Sequence, residues 1–189
     1  MTSAERRRTR FDRLFEHHFR PVLAYALRRV DEPADAADVA AETFLIAWRR
    51  LGDVPGEPDA RLWLFGTARR VLSNQRRGDR RRDALSERLR GEVGAMVEAD
   101  HASDGTTALV RQAMRGLKRD DREILALVCW EGLDPTQAAN VMGIRQATAR
   151  TRLRRARGRM RDELIVLGWD AGATAGAAPA CPTAVKETP

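Results

Sequence analysis

The densest chemistry in this sequence is cationic. The seventeen residues 145–161 contain eight arginines and no acid: Arg145, Arg150, Arg152, Arg154, Arg155, Arg157, Arg159 and Arg161. A guanidinium stays charged at any physiological pH and presents a planar fork of donors that matches a phosphate. Such a run suits a polyanion. At helical spacing Gln146, Arg150, Arg154, Arg157 and Arg161 share one face, with Arg145, Thr148, Arg152, Arg155 and Arg159 beside them. Short polar residues in the first turn and arginines after it match a major-groove reader, in which early side chains reach base edges and later ones grip phosphates. A second basic block lies upstream, where Arg69, Arg76 and Arg80 form one stripe and Arg70, Asn74, Arg77 and Arg81 another, beside Trp63.

Other chemistries find less support. No nucleophile with a base and an orienting group, no phosphate loop and no metal cluster is visible, so we assign no catalytic residue, no metal and no cofactor. The two cysteines, Cys129 and Cys181, and the histidines at 17, 18 and 101 assemble neither a disulfide framework nor a zinc site. His17, His18 and Cys129 read as packing residues. The acids from Asp35 to Glu42 lack a further ligand at a spacing that would hold a metal. Of the 34 basic residues only Lys118 and Lys186 are lysine, which fits either codon composition or a demand for bidentate phosphate contacts.

The net charge is +7, but its distribution says more: residues 31–60 sum to −6 between the basic N-terminal thirty and the basic block after 60. Two basic blocks separated by an acidic one imply a polyanion touched at two places and a different partner at the acidic face. No apolar run long enough for a membrane span occurs, and the start, MTSAERRRTR, has no apolar stretch behind its charges. A soluble cytoplasmic protein without membrane insertion is expected.

Helices must position these residues. Phe11, Leu14, Phe15, Phe19, Val22, Leu23, Ala26, Leu27 and Val30 recur at helical spacing, interrupted by Pro21, where a kink is expected. A second stripe is Ala36, Val39, Ala40, Thr43, Phe44, Ala47, Trp48 and Leu51, closed by a turn-rich stretch from Gly52 to Pro58. A third helix starts near Asp59, buries Leu64, Thr67, Ala68, Val71 and Leu72, and runs to about Arg82. No window alternates with period two. The expected fold is all-α: two small helical domains, 1–84 and 105–167, joined by a flexible linker at 85–104 and followed by a disordered Ala/Gly/Pro/Thr-rich tail at 168–189.

In the second domain one helix carries Leu109, Val110, Ala113, Met114 and Leu117, and the next Ile124 to Trp130. A short helix from Pro135 to Met142 and a long one from about Arg145 to Leu167 follow. Ala139, Gly143 and Ile144 supply the small residue, the positive-φ turn and the apolar seal of a helix-turn-helix. Ala149, Leu153, Ala156, Met160 and Leu164 give the second helix its buried face.

With both halves in view, the chain resembles the bacterial RNA polymerase sigma factors of the extracytoplasmic-function type, which keep only sigma domains two and four. The resemblance covers about Phe11 to Leu164. It rests on FDRLFEHHFRPVLAYALRRV, DAADVAAETFLIAW and RLWLFGTARRVLSNQRR in the first half, and on LKRDDREILALVCWEGLDPTQAANVMGI and RQATARTRLRRARGRMR in the second.

The resemblance implies partners and roles. Core RNA polymerase, through its beta-prime and beta subunits, and promoter DNA are the partners, with room for an anti-sigma protein. Asp38, Glu42, Leu45 and Arg49, with Ile46 nearby, would dock on the polymerase; an apolar pair flanked by acids suits a protein and would repel phosphates. Trp63, Arg69, Arg70, Asn74, Arg76, Arg77, Arg80 and Arg81 would serve the minus-ten element, with the Gly52 to Pro58 loop as the pocket for a captured base. Arg145, Gln146, Thr148, Arg150, Arg152, Arg154, Arg155 and Arg157 would serve the minus-thirty-five element. Departures from the family pattern are Arg70, where Asn is frequent, Arg145, where a Ser or Thr cap is usual, and Ala149, where a larger aliphatic is common. The rival reading from another class is a stand-alone dimeric helix-turn-helix repressor or activator, which predicts tight binding to a symmetric operator by the protein alone.

Overall fold

The computed structural model describes residues 2–87 and 105–169, with side chains described for 2–77 and 108–169. Among the described residues there are seven α-helices, one 3-10 turn and no strand. The chain forms two compact units, Met1–Ala99 and Asp100–Pro189.

The first unit is built from α1 (Ser3–Leu27), α2 (Pro33–Arg49), the 3-10 turn Leu51–Asp53 and α3 (Asp59–Glu87), and each of the three helices packs on the other two. Helix α1 starts eight residues before its apolar stripe because Thr2 and Glu5 form a capping box. The Thr2 hydroxyl accepts from the Glu5 amide at 3.2 Å and the Glu5 carboxylate accepts from the Thr2 amide at 2.5 Å. The helix continues through Pro21. Pro33 opens α2 at a position whose amide has no helical partner in any case.

Val22, Tyr25 and Ala26 of α1, Val39, Ala40 and Phe44 of α2, and Leu64, Phe65 and Ala68 of α3 form the core. Each large member contributes about 1.5–3 kcal/mol by leaving water. Tyr25 and Phe65 stack at 4.9 Å and are fully buried. The buried Thr43 hydroxyl donates to the Val39 carbonyl at 2.7 Å, so its burial leaves no polar group unsatisfied. Three expected core residues lie further out: Leu27 at the end of α1 is 45% exposed, and Phe15 and Trp48 are 39% and 38% exposed. Phe15 and Trp48 form the rim of an aromatic cluster with Phe11, Phe19 and Phe44, in which Phe11 meets Trp48 edge-on at 5.1 Å. Helix α3 runs five residues past Arg82, into the segment expected as linker.

The second unit comprises α4 (Gly105–Gly116), α5 (Arg119–Cys129), α6 (Pro135–Met142) and α7 (Gln146–Val166). Helix α7 is its spine and packs against the other three. Ile124 and Leu127 of α5, Ala138 and Ala139 of α6, and Ala149 and Ala156 of α7 are almost completely buried; Met160, expected on the same face, is half-buried. The first two residues of the expected tail are ordered as a helix end: Gly168 has φ +84, and the Trp169 amide donates to the Leu164 carbonyl at 2.9 Å. The rest of the tail, the linker from 88, His101 and Cys181 lie outside the described residues. Cys129, expected to be a packing residue, is half-buried at the end of α5. No helix among the described residues is long and apolar enough to cross a membrane.

Candidate nucleic-acid interface and docking face

The corner between α6 and α7 is fixed from both sides. Asp134 caps α6, its carboxylate accepting from the Thr136 and Gln137 amides at 2.7 and 2.9 Å while Gln137 reaches back to the Asp134 amide. At the far end Gly143 takes φ +66, ψ 38, and the amides of Gly143 and Ile144 donate to the carbonyls of Asn140 and Ala139. This reverse turn needs the left-handed conformation that glycine adopts without steric penalty. It also needs the close approach that buried Ala139 permits. The corner aims the N-terminus of α7 outward.

Along α7 the buried residues Ala149, Leu153, Ala156 and Leu164 leave Arg145, Gln146, Thr148, Arg150, Arg154, Arg155, Arg157 and Arg161 exposed. Arg150, Arg154, Arg157 and Arg161 line one groove with Pro135, Leu153 and Gly158. Arg145 occupies the N-cap in extended geometry with no side-chain hydrogen bond to the free amides. Arg152 is set apart from the other arginines of this face. It is half-buried and donates to Asp120 of α5, just as Arg159 donates to Asp121. Arg152 is half-buried by this contact, while Arg159 remains exposed and is tied to the domain through its pair.

On α3, Arg70, Asn74 and Arg77 are exposed and successive on one stripe, and Arg77 donates to the Asn74 side-chain oxygen. Arg69 is half-buried. Arg76 bonds inward, its guanidinium donating to the Arg29 carbonyl at the end of α1. Trp63 is half-buried, as a wedge or core residue would be. Arg80 and Arg81 continue the helix, but their side chains lie outside the described ones.

Helix α2 places Asp38, Glu42, Leu45 and Arg49 together on the side opposite its buried face, all exposed, with Leu45 at 41% and Ile46 half-buried. Sequence reasoning missed three contacts from α1. Arg7 donates to the Trp48 carbonyl at 2.8 Å and stacks over its ring at 5.0 Å. Arg10 donates to the Val54 carbonyl, and His18 lies 2.6 Å from the Glu57 carboxylate. The available signal was spacing: Arg10, Leu14, His18 and Val22 follow one another every four residues, so exposed Arg10 and buried His18 continue the stripe of Leu14 and Val22. His17, grouped with His18 as a packing residue, is instead exposed, its ring 2.8 Å from the Arg13 carbonyl. Among the described residues no group of three His, Cys, Asp or Glu side chains is arranged to hold a metal.

A helix-turn-helix with an arginine-faced second helix, beside a separate three-helix unit with its own cationic helix and an acidic, partly apolar face, defines a two-domain DNA-binding factor. Residues 14–82 match the family model for sigma-70 region 2 and residues 107–160 that for sigma-70 region 4. The chain is 30% identical over 159 residues to the ECF RNA polymerase sigma factor SigL of Mycobacterium tuberculosis, covering 82% of this chain and 89% of that one. It is 31% identical over 159 residues to the RNA polymerase sigma-H factor of Pseudomonas aeruginosa, covering 78% and 82%. The fold is shared with the sigma factor RpoE of Bartonella quintana, solved with the anti-sigma factor NepR, at TM-score 0.65 and 24% identity over 82% of this chain and 97% of that one. CnrH, solved with the cytosolic domain of CnrY, matches at TM-score 0.60 and 24% identity, covering 82% and 88%. The chain belongs to the extracytoplasmic-function sigma factors. It is a sigma factor that binds core RNA polymerase and directs promoter-specific initiation.

Proposed function

We propose a division of labour among the exposed residues. Asp38, Glu42, Leu45, Ile46 and Arg49 of α2 dock on core polymerase. Arg70, Asn74 and Arg77, continued by Arg80 and Arg81, follow the opened strand at the minus-ten element beside Trp63, and the Gly52 to Pro58 loop receives an unstacked base. Gln146, Thr148 and Arg150 enter the major groove at the minus-thirty-five element, with Arg145, Arg154, Arg155 and Arg157 on phosphates. Arg76 and Arg152, engaged inside their own domains, act as supports for these surfaces.

The observation that carries this reading is the sorting of the α7 arginines. Six of the eight in the run are exposed and form no ion pair with a carboxylate among the described residues, and the two that pair, Arg152 and Arg159, do so with acids of α5. The factor supplies no chemistry of its own, acts in the cytoplasm, and leaves the reacting groups to the polymerase. An anti-sigma protein is a further partner, as in the complexes of RpoE with NepR and of CnrH with CnrY.

Run-off transcription with purified core polymerase, with and without this protein, is the test. Promoter-dependent transcripts only in its presence are expected. Equal promoter binding by the protein alone, with no gain on adding core, supports the stand-alone repressor or activator instead.

A further inference from the structure

The 54–57 loop is fastened to α1 at two points. The Val54 carbonyl accepts from Arg10, and the Glu57 carboxylate accepts from His18 Nε2 at 2.6 Å. Arg10 and His18 are eight residues apart, two turns along one face of α1. We propose that these two side chains are positioning residues for base capture, holding the loop in the shape that receives the unstacked promoter base. The proposal rests on the reading of the Gly52 to Pro58 loop as the base pocket.

Energetics separate this from ordinary packing. His18 is 7% exposed and sits on the stripe of α1 that contains buried Leu14 and Val22. An imidazole there costs desolvation that an aliphatic of similar size would not. Its partner, the Glu57 side chain, is 63% exposed, and a pair with one end in water returns little stability. The chain path is fixed without it: Leu51 and Val54 are each 3% exposed, and the Gly56 carbonyl accepts from the Asp59 and Ala60 amides to start α3. What the two bonds add is the orientation of the segment between these anchors. They set which way the Val54 carbonyl faces and where the Glu57 carboxylate lies. That carboxylate, left loose beside a DNA backbone, would repel phosphate; drawn onto α1, it is held by a donor. A pocket that accepts one base among four must be formed before the base arrives, because geometric error of about 1 Å is enough to lose most of the selectivity.

The test uses the full chain with core polymerase on four templates pre-opened across the minus-ten element and differing only at the captured base. The readout is the ratio of stable complex on the best base to that on the worst. Arg10→Ala and His18→Ala are each expected to lower that ratio about tenfold, by analogy with other misplaced sites. His18→Gln and Arg10→Lys, which keep a donor, should retain most of it, and core affinity and minus-thirty-five duplex binding should not move. Glu57→Ala breaks the same bond from the exposed side and serves if His18→Ala does not fold.

An unchanged ratio in Arg10→Ala and Glu57→Ala, with the ratio lost when the Gly52 to Pro58 segment is replaced by a Gly/Ser stretch of equal length, overturns the positioning role and leaves the pocket in place. An unchanged ratio after the loop replacement overturns the pocket reading, and the positioning role with it.

Discussion

Asp121, in the first turn of α5, accepts a hydrogen bond from Arg159, two-thirds of the way along α7. Its side chain is 8% exposed, while that of Arg159 is 46% exposed. The neighbouring Asp120 accepts from Arg152 in a more open setting. The basic run of α7 therefore has two uses written in one residue type. Its acid-paired members brace the domain, and the others face outward.

This sorting has a measurable consequence for stability. Arg159→Ala leaves Asp121 buried without its cation, although the positive end of α5 partly compensates. A loss of about 2 kcal/mol is expected, seen as a lower unfolding midpoint of the second unit. Arg152→Ala removes a pair whose carboxylate is half exposed and should cost less than about 1 kcal/mol. Equal losses from the two would contradict the role of burial here.

The same sorting predicts how binding responds to salt. Each phosphate contact contributes a slope of about −0.9 to the dependence of log affinity on log salt. Arg154→Ala with Arg157→Ala should make the slope of promoter binding shallower by about two contacts. Arg159→Ala should leave it unchanged at temperatures where the domain is folded. A double variant with the parental slope removes these arginines from the phosphate backbone.

The legible parts of this molecule are those governed by local rules. The period of apolar residues located the helices, and Ala139, Gly143 and Ile144 located the corner, because each answers to a backbone requirement a few residues wide. Residue type alone could not divide the arginines: Arg150 and Arg152 differ only in which neighbour their face of α7 meets, and Asp120 lies 32 residues away in sequence. Arg76 is a second case, since its acceptor is the Arg29 carbonyl, 47 residues distant. Trp48 fits the apolar period of α2 yet lies at the edge of the core, where Arg7 covers one face of its ring. The start of α1 was readable from Thr2 and Glu5, a polar signature that a search for apolar periodicity passes over.

Docking through α2 predicts a separation of binding from folding. Asp38 and Glu42 are exposed, so Asp38→Lys with Glu42→Lys should change stability by no more than about 0.5 kcal/mol at either site. Core polymerase affinity should fall by at least about tenfold, through charge reversal at a complementary face. Leu45→Ala should weaken binding without altering its salt dependence, because it removes apolar contact and no charge. A pull-down with core polymerase at two ionic strengths reads both effects. Parental affinity in the double variant would remove α2 as the docking helix.

The start of α7 sets stability of the free protein against its affinity for DNA. Arg145 has the extended backbone of an N-cap but offers no acceptor to the free amides of the first turn, and its cation lies at the positive end of the helix. Arg145→Asn supplies the acceptor and removes the charge, so the free second unit should gain about 1 kcal/mol. Promoter DNA acts in the opposite direction. A phosphate at this helix end satisfies the same amides and pairs with the guanidinium, and so replaces the missing cap in the parent protein but competes with it in the variant. The rise in unfolding midpoint on adding promoter DNA should therefore be larger for the parent than for Arg145→Asn, even though the variant starts higher. Thermal unfolding of both proteins with and without a minus-thirty-five duplex measures the two differences together. Equal DNA-induced shifts would place this helix end away from the phosphates, because the only change between the proteins is the group that a phosphate there would meet.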